Sequence, residues 1–134
     1  MKNSTLMIDD EVFNSTNEYG HSLVVDTRSP EQRQHQSPPE LLLSALAGCG
    51  AVDIISMLKK RKKTILKFEI ETEGTRRVET PRAFTAIHCH FKLTSPDATE
   101  AELLKLVNLS LDKYCTVASS MKAEISTSVS VIRP

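Results

Sequence analysis

The segment from Leu41 to Leu58 is apolar on every side, and only Ser44, Asp53 and Ser56 interrupt it with polar side chains. Its start is marked by Ser37-Pro38-Pro39-Glu40. Ser37 is an N-cap residue, proline is favoured in a first turn, and Glu40 has the spacing of a capping box. The signals predict a helix running to about Lys63, with the basic run Lys59 to Lys63 at the end where a helix dipole favours cations. A helix that is apolar all round must be covered all round. One chain of 134 residues has little material to do this alone. The helix therefore crosses a membrane or packs against another subunit. Asp53 near the middle of a span would cost roughly 2.5–3.5 kcal/mol. That cost, the Pro-Pro start, the glycines and the strand-rich flanks favour a second subunit.

The flanks read as strands and one more helix. Leu6-Met7-Ile8 is a short apolar run that Asp9-Asp10 breaks. Glu11 to Ser15 and His21 to Val25 read as a hairpin around Tyr19-Gly20. Residues 26–39 form a polar, proline-bearing connector of the long kind that often carries function. Strands are predicted over 64–78 and 82–94. In the second, Ile87, Cys89, Phe91 and Leu93 alternate with His88, His90 and Lys92. An amphipathic helix starts at Thr99 or Asp97 with Leu103, Leu104, Val107 and Leu111 on its apolar face. Cys115 lies at a break after it, and Ala123 to Ile132 reads as a closing strand. One domain spanning 1–134 is expected.

Composition narrows the function classes. Lysine plus arginine and aspartate plus glutamate both number 17, so the chain has no general attraction to polyanions. With no tryptophan and few other aromatics, platforms for stacking bases are not expected. Lys59 to Lys63 reads as a solvated helix end rather than a nucleic-acid or membrane site. The start of the chain does not read as a signal peptide, and three cysteines is an odd number, so a cytoplasmic location with reduced thiols is expected. No cofactor is expected. His88 and His90 share a strand face and could chelate, but no further ligand stands at zinc-like spacing, so no metal is expected.

The cysteines then carry the chemical question. Cys89 reads as core. Cys49 is either core or chemistry, and Gly48 and Gly50 beside it suit a position that a backbone or substrate must approach closely. A short helix starting near Cys115 would turn free N–H groups toward its sulfur, which favours a thiolate. Asp53 lies one helical turn from Cys49, where its charge would oppose a thiolate unless it is paired, protonated or used as a base.

Two stretches together resemble the OsmC/Ohr superfamily of osmotically induced and organic hydroperoxide resistance proteins. Ser37-Pro38-Pro39-Glu40-Leu41-Leu42-Leu43-Ser44-Ala45-Leu46-Ala47-Gly48-Cys49 resembles the family's first cysteine helix. Lys113-Tyr114-Cys115-Thr116-Val117-Ala118 resembles its second cysteine motif, nearest to the YhfA-like branch. The resemblance implies an α+β fold in an intertwined homodimer, with antiparallel sheets wrapped around long buried central helices. It implies that Cys49 attacks an organic hydroperoxide and that Cys115 resolves the sulfenic acid as a disulfide, which a thiol reductant reopens. It also implies an arginine held by a glutamate near the helix start, and Glu40 is the candidate glutamate. The requirement is severe, because an unperturbed thiol is only about 3% ionised at pH 7. Lowering its pKa by two units takes about 2.7 kcal/mol. This sequence departs from the family pattern in having no arginine before Arg28, and Pro39 where the glutamate usually stands. Nine residues of helix turn about 180° and rise about 13.5 Å, so Glu40 of a second copy suits Cys49 better than Glu40 of the same chain. Arg28 and Arg33 are possible substitutes for the missing arginine. The alternative function is a non-catalytic dimer of the same fold that binds a small apolar or electrophilic ligand.

Overall fold

In the computed structural model, which describes residues 1–134, the chain forms two units, Met1–Leu42 and Leu43–Pro134. The first unit holds an antiparallel sheet of β1 (Asn3–Asp9), β2 (Val12–Asn17) and β3 (Ser22–Asp26), in that order. The apolar run Leu6-Met7-Ile8 is thus part of a full edge strand, and all three side chains are exposed. Glu11, expected in a strand, sits in the turn with φ 59°, because the β1–β2 hairpin closes over Asp10 and Glu11. The second hairpin turns where the sequence predicts. Gly20 adopts φ 85°, and the Asn17 side chain accepts from the N–H groups of Tyr19 and His21, both at 3.0 Å.

The connector after β3 is not structureless. It contains a 3-10 turn, Pro30–Gln32, and folds around the fully buried Asp26 carboxylate. Arg28 donates to Asp26 through Nε at 2.9 Å and Nη2 at 2.6 Å. The backbone N–H groups of Arg28, Gln34 and His35 add bonds at 3.2, 2.9 and 3.3 Å. The Arg28 guanidinium, with the Gln34 and Arg28 N–H groups, holds the Asp26 carboxyl far below the usual carboxylate range.

Helix α1 (Pro38–Lys60) begins at the predicted cap. Glu40 accepts from both the backbone N–H of Ser37, at 3.2 Å, and its hydroxyl, at 2.5 Å. The hydroxyl therefore faces the carboxylate instead of a backbone donor. The helix stops three residues earlier than expected. Lys63 N donates to Leu58 O at 3.0 Å and Lys62 N to Lys59 O at 2.9 Å, with Lys62 at φ 59°. This is a Schellman ending with lysine where glycine is usual.

In the second unit, β4 (Lys67–Arg76), β5 (Phe84–Thr94) and β6 (Glu124–Ile132) form one sheet in that order. The expectation of antiparallel sheets needs correction here. β4 and β5 form an antiparallel hairpin, but β6 runs parallel to β5, since α2 (Glu100–Leu109) carries the chain back between them. Thr99 caps α2 by accepting from Glu102 N at 3.2 Å. Asp97 instead accepts from Thr64 N and Oγ1 at 2.9 and 3.0 Å. Leu103 and Val107 are buried as predicted, but Leu106 takes the core place expected of Leu104, which is exposed.

The core joins Leu46, Ile54 and Leu58 of α1 to Ile87, Cys89, Phe91 and Leu93 of β5 and Leu103, Leu106 and Val107 of α2. With Gly50, the α1 residues form a stripe at fourfold spacing, one side of a helix. Elsewhere α1 is open, with Leu42 42% and Val52 64% exposed. The helix is long and apolar enough to cross a bilayer. One side of it, at Leu46, Ile54 and Leu58, packs into the core of the second unit. Arg61 and Lys63 at its basic end pair with Glu102 at 3.6 and 3.5 Å.

Two outcomes are expected. Lys62→Gly relieves the left-handed strain at the helix end and raises stability by about 0.5–1 kcal/mol in urea unfolding. Asp26, with its lowered folded pKa, stabilises the fold above the unfolded carboxylate pKa near 3.9, and this contribution is lost as pH falls below that value. Asp26→Asn is therefore strongly destabilising at pH 7, and the gap from the parent protein narrows in unfolding measured at pH 3.

Candidate functional site

Cys49 leaves α1 beside the buried stripe, next to Gly50, and is half-buried. The chain after α2 does not end its helix in the ordinary way. Ser110–Tyr114 form a π-helical turn, in which Cys115 N donates to Ser110 O at 2.8 Å. Such turns are rare and concentrate at functional sites. Cys115 then caps the short helix α3 (Thr116–Ser119), and its Sγ accepts from Ala118 N at 3.4 Å. These turns leave Cys115 close enough to Cys49 for Cys49 to push its thiol pKa up.

The environments of the two sulfurs differ. Cys115 is completely buried. Burial pushes its thiol pKa up, and the adjacent Cys49 adds to this. The N–H groups of Ala118 and Val117 act in the opposite direction. The N–H groups that the sequence places at Cys115 are therefore present, but desolvation outweighs them and the thiol stays protonated at neutral pH. Cys89 is core, as expected. Burial, then the nearby Cys115, pushes it up to about 11, and a thiol of that kind is inert.

Asp53 is paired: its Oδ2 accepts from the Ser110 hydroxyl at 3.2 Å. The same hydroxyl lies 3.5 Å from Gly50 O. Ser110 is fully buried and was not among the residues the motifs single out. Its signal was a serine in register with Leu103, Leu106 and Val107 on an otherwise apolar helix face. The two glycines are not explained by packing within the chain. A Cβ at Gly48 would meet nothing within 4 Å, and one at Gly50 would reach Phe91 and Leu111 at ordinary contact distances of 3.8 and 4.0 Å.

Glu40 is not brought to the cysteines by its bonds. Its partners are Ser37 and Arg33, whose Nη1 lies 3.7 Å away, and Ser37 and Arg33 together hold its carboxyl below the ordinary value. Arg33 Nε also donates to Arg28 O at 2.7 Å. Arg33 and Glu40 line an open cleft of the first unit with Pro30, Gln34, His35 and Gln36. Of the two substitute arginines, Arg28 is committed to Asp26 and Arg33 to Glu40. His88 and His90 both use their ring nitrogens on β6 hydroxyls. His88 meets Ser126 and Ser128 at 2.7 and 2.8 Å, and His90 meets Ser128 and Ser130 at 2.6 and 3.1 Å.

Of the two motif cysteines, one is half-buried and the other fully buried. Comparison with known proteins agrees with the motifs. The sequence model described as OsmC-like protein matches residues 31–130. Protein YhfA of Escherichia coli K12 is 36% identical over 107 residues, covering 80% of this chain and 78% of that protein. The crystal structure of an OsmC-like protein from Mycoplasma pneumoniae superposes with a TM-score of 0.84 at 20% identity, over 98% of this chain and 96% of that one. The organic hydroperoxide resistance protein OhrB of Bacillus subtilis superposes with a TM-score of 0.64 at 15% identity, over 98% of each chain. This chain, with its mixed α+β fold of two sheets and its paired cysteine motifs, belongs to the OsmC-like protein family.

Proposed function

We propose that this protein is a thiol-dependent redox protein that reduces organic hydroperoxides through a Cys49/Cys115 cycle. The observation that carries the reading is a pair of neighbouring cysteines of unequal depth, Cys49 half-buried and Cys115 fully buried. The Cys49 thiolate attacks the terminal oxygen of ROOH and the O–O bond breaks. The alkoxide takes a proton and leaves as ROH, and Cys49 becomes a sulfenic acid. The Cys115 sulfur then attacks the Cys49 sulfur. Its proton leaves with the sulfenic hydroxyl as water, and the disulfide forms. A dithiol reductant returns both sulfurs to the thiol state. The raised pKa of Cys115 suits this order, because a protonated, buried thiol does not compete for peroxide.

The protein acts as a homodimer in this reading. Support comes from the exposed apolar side of α1 at Leu42 and Val52, and from Leu6, Met7 and Ile8 of β1. Gly48, open on the same helix, is suited to a close crossing with a second copy. The Arg33–Glu40 pair resembles the family's arginine held by a glutamate, and a second copy would supply it to Cys49. The compartment proposed is the cytoplasm, where a dithiol is kept reduced between turnovers.

One equivalent of cumene hydroperoxide should remove two of the three thiols and leave a Cys49–Cys115 link in peptide mass mapping. Survival of all three overturns the cycle and points to the alternative, a ligand-binding dimer. Cys49→Ser should abolish hydroperoxide consumption. Cys115→Ser should allow one turnover and leave a sulfenic acid that dimedone captures. Disulfide closure should quicken by roughly tenfold per pH unit between pH 7 and 8, since the reactive form of Cys115 is the thiolate and its pKa is raised. Stopped-flow thiol measurements across that range check the sign. Light scattering should give twice the 14.9 kDa chain mass, and Val52→Glu should shift it toward the monomer.

A further inference from the structure

The π-helical turn before Cys115 is held to α1 by a single buried hydroxyl. Ser110 Oγ donates to Asp53 Oδ2 at 3.2 Å and lies 3.5 Å from Gly50 O. Ser110 O in turn accepts from Cys115 N at 2.8 Å. One end of this bridge begins beside Cys49, at Gly50 and Asp53, and the other end is the backbone of Cys115. We propose that Asp53 and Ser110 are positioning residues that fix the Cys115 sulfur against Cys49 for disulfide closure.

Three observations support the assignment. Asp53 lies one helical turn from Cys49, so the acceptor that Ser110 uses stands on the same side of α1 as the attacking thiol. An acceptor at that place helps hold the turn. Ser110 is fully buried in an apolar register, where a hydroxyl without a partner is costly, and Asp53 is the partner. The π turn shifts the following residues out of the register of α2, so the bond fixes the orientation in which Cys115 leaves it. Cyclic thiol chemistry is sensitive to such placement, and a shift of about 1 Å can cost about a hundredfold.

The inference rests on the Cys49–Cys115 cycle, but its test does not need hydroperoxide. Full-length protein is equilibrated in glutathione redox buffers, and the Cys49–Cys115 disulfide is quantified by mass mapping. Asp53→Ala and Ser110→Ala should each lower the effective concentration of the two thiols by about tenfold. Asp53→Asn and Ser110→Thr, which keep an acceptor and a hydroxyl, should stay within about threefold of the parent. After cumene hydroperoxide, the two alanine variants should form sulfenic acid at the parent rate but lose more of it to dimedone. An unchanged glutathione equilibrium in both alanine variants overturns the proposal. So does an Asp53→Asn loss as large as that of Asp53→Ala, which would mean that charge and not position is at work. If the parent consumes no hydroperoxide while the equilibrium still falls in the alanine variants, the peroxide reading fails and the positioning role stands.

Discussion

The burial of one side of α1 against β5 and α2 sets the rest of the second unit. Leu46, Gly50, Ile54 and Leu58 return to the same helix side at every fourth residue and meet Phe91, Leu93, Leu103 and Leu106. Burying such side chains is worth about 1.5–3 kcal/mol each, which leaves α1 little freedom to rotate. Cys49 neighbours this stripe and is thereby held at the core's edge, half-buried. Cys115 approaches the same place from α2, whose own apolar side packs on the same core. Cys49 and Cys115 are neighbours because two helices share one core, and a hydrogen bond between Ser110 and Asp53 joins the same two elements.

Reactivity is then divided by solvation. Each cysteine is carried by an element with a different depth: Cys49 on a helix edge, Cys115 after a π turn, Cys89 at mid-strand between Ile87 and Phe91. Burial acts on the charged form, so depth becomes thiol character. Cys115, fully buried, keeps its proton at neutral pH. Cys89 is shielded as well, and its thiol is pushed up to about 11.

Much of the fold could be read from periodicity. The strand from Phe84 to Thr94 alternates cleanly, and the cap at Ser37 and Glu40 marks the start of α1 to the residue. The signals that failed are those whose cause is tertiary. Leu104 and Leu106 are equally apolar, and only the direction from which the sheet approaches α2 decides which is buried. The parallel pairing of β6 depends on the path of α2, not on the strand's own pattern. The fold of the connector is not legible in the sequence because the residue that organises it, Asp26, satisfies backbone groups that carry no side-chain signal. At the site, the cysteines were legible from their motifs. Ser110 was not, since a lone serine on an apolar helix side is a faint mark, and the π turn has no sequence signature of its own.

The central claim is that one fold gives three thiols three distinct characters. Site-resolved alkylation of the reduced native protein, followed by mass spectrometry as a function of pH, tests it most directly. The account predicts that Cys49 is modified first at neutral pH, that Cys115 follows only as the pH becomes alkaline, and that Cys89 reacts only when the protein unfolds. Modification of Cys115 ahead of Cys49, or of Cys89 in the native state, would contradict it.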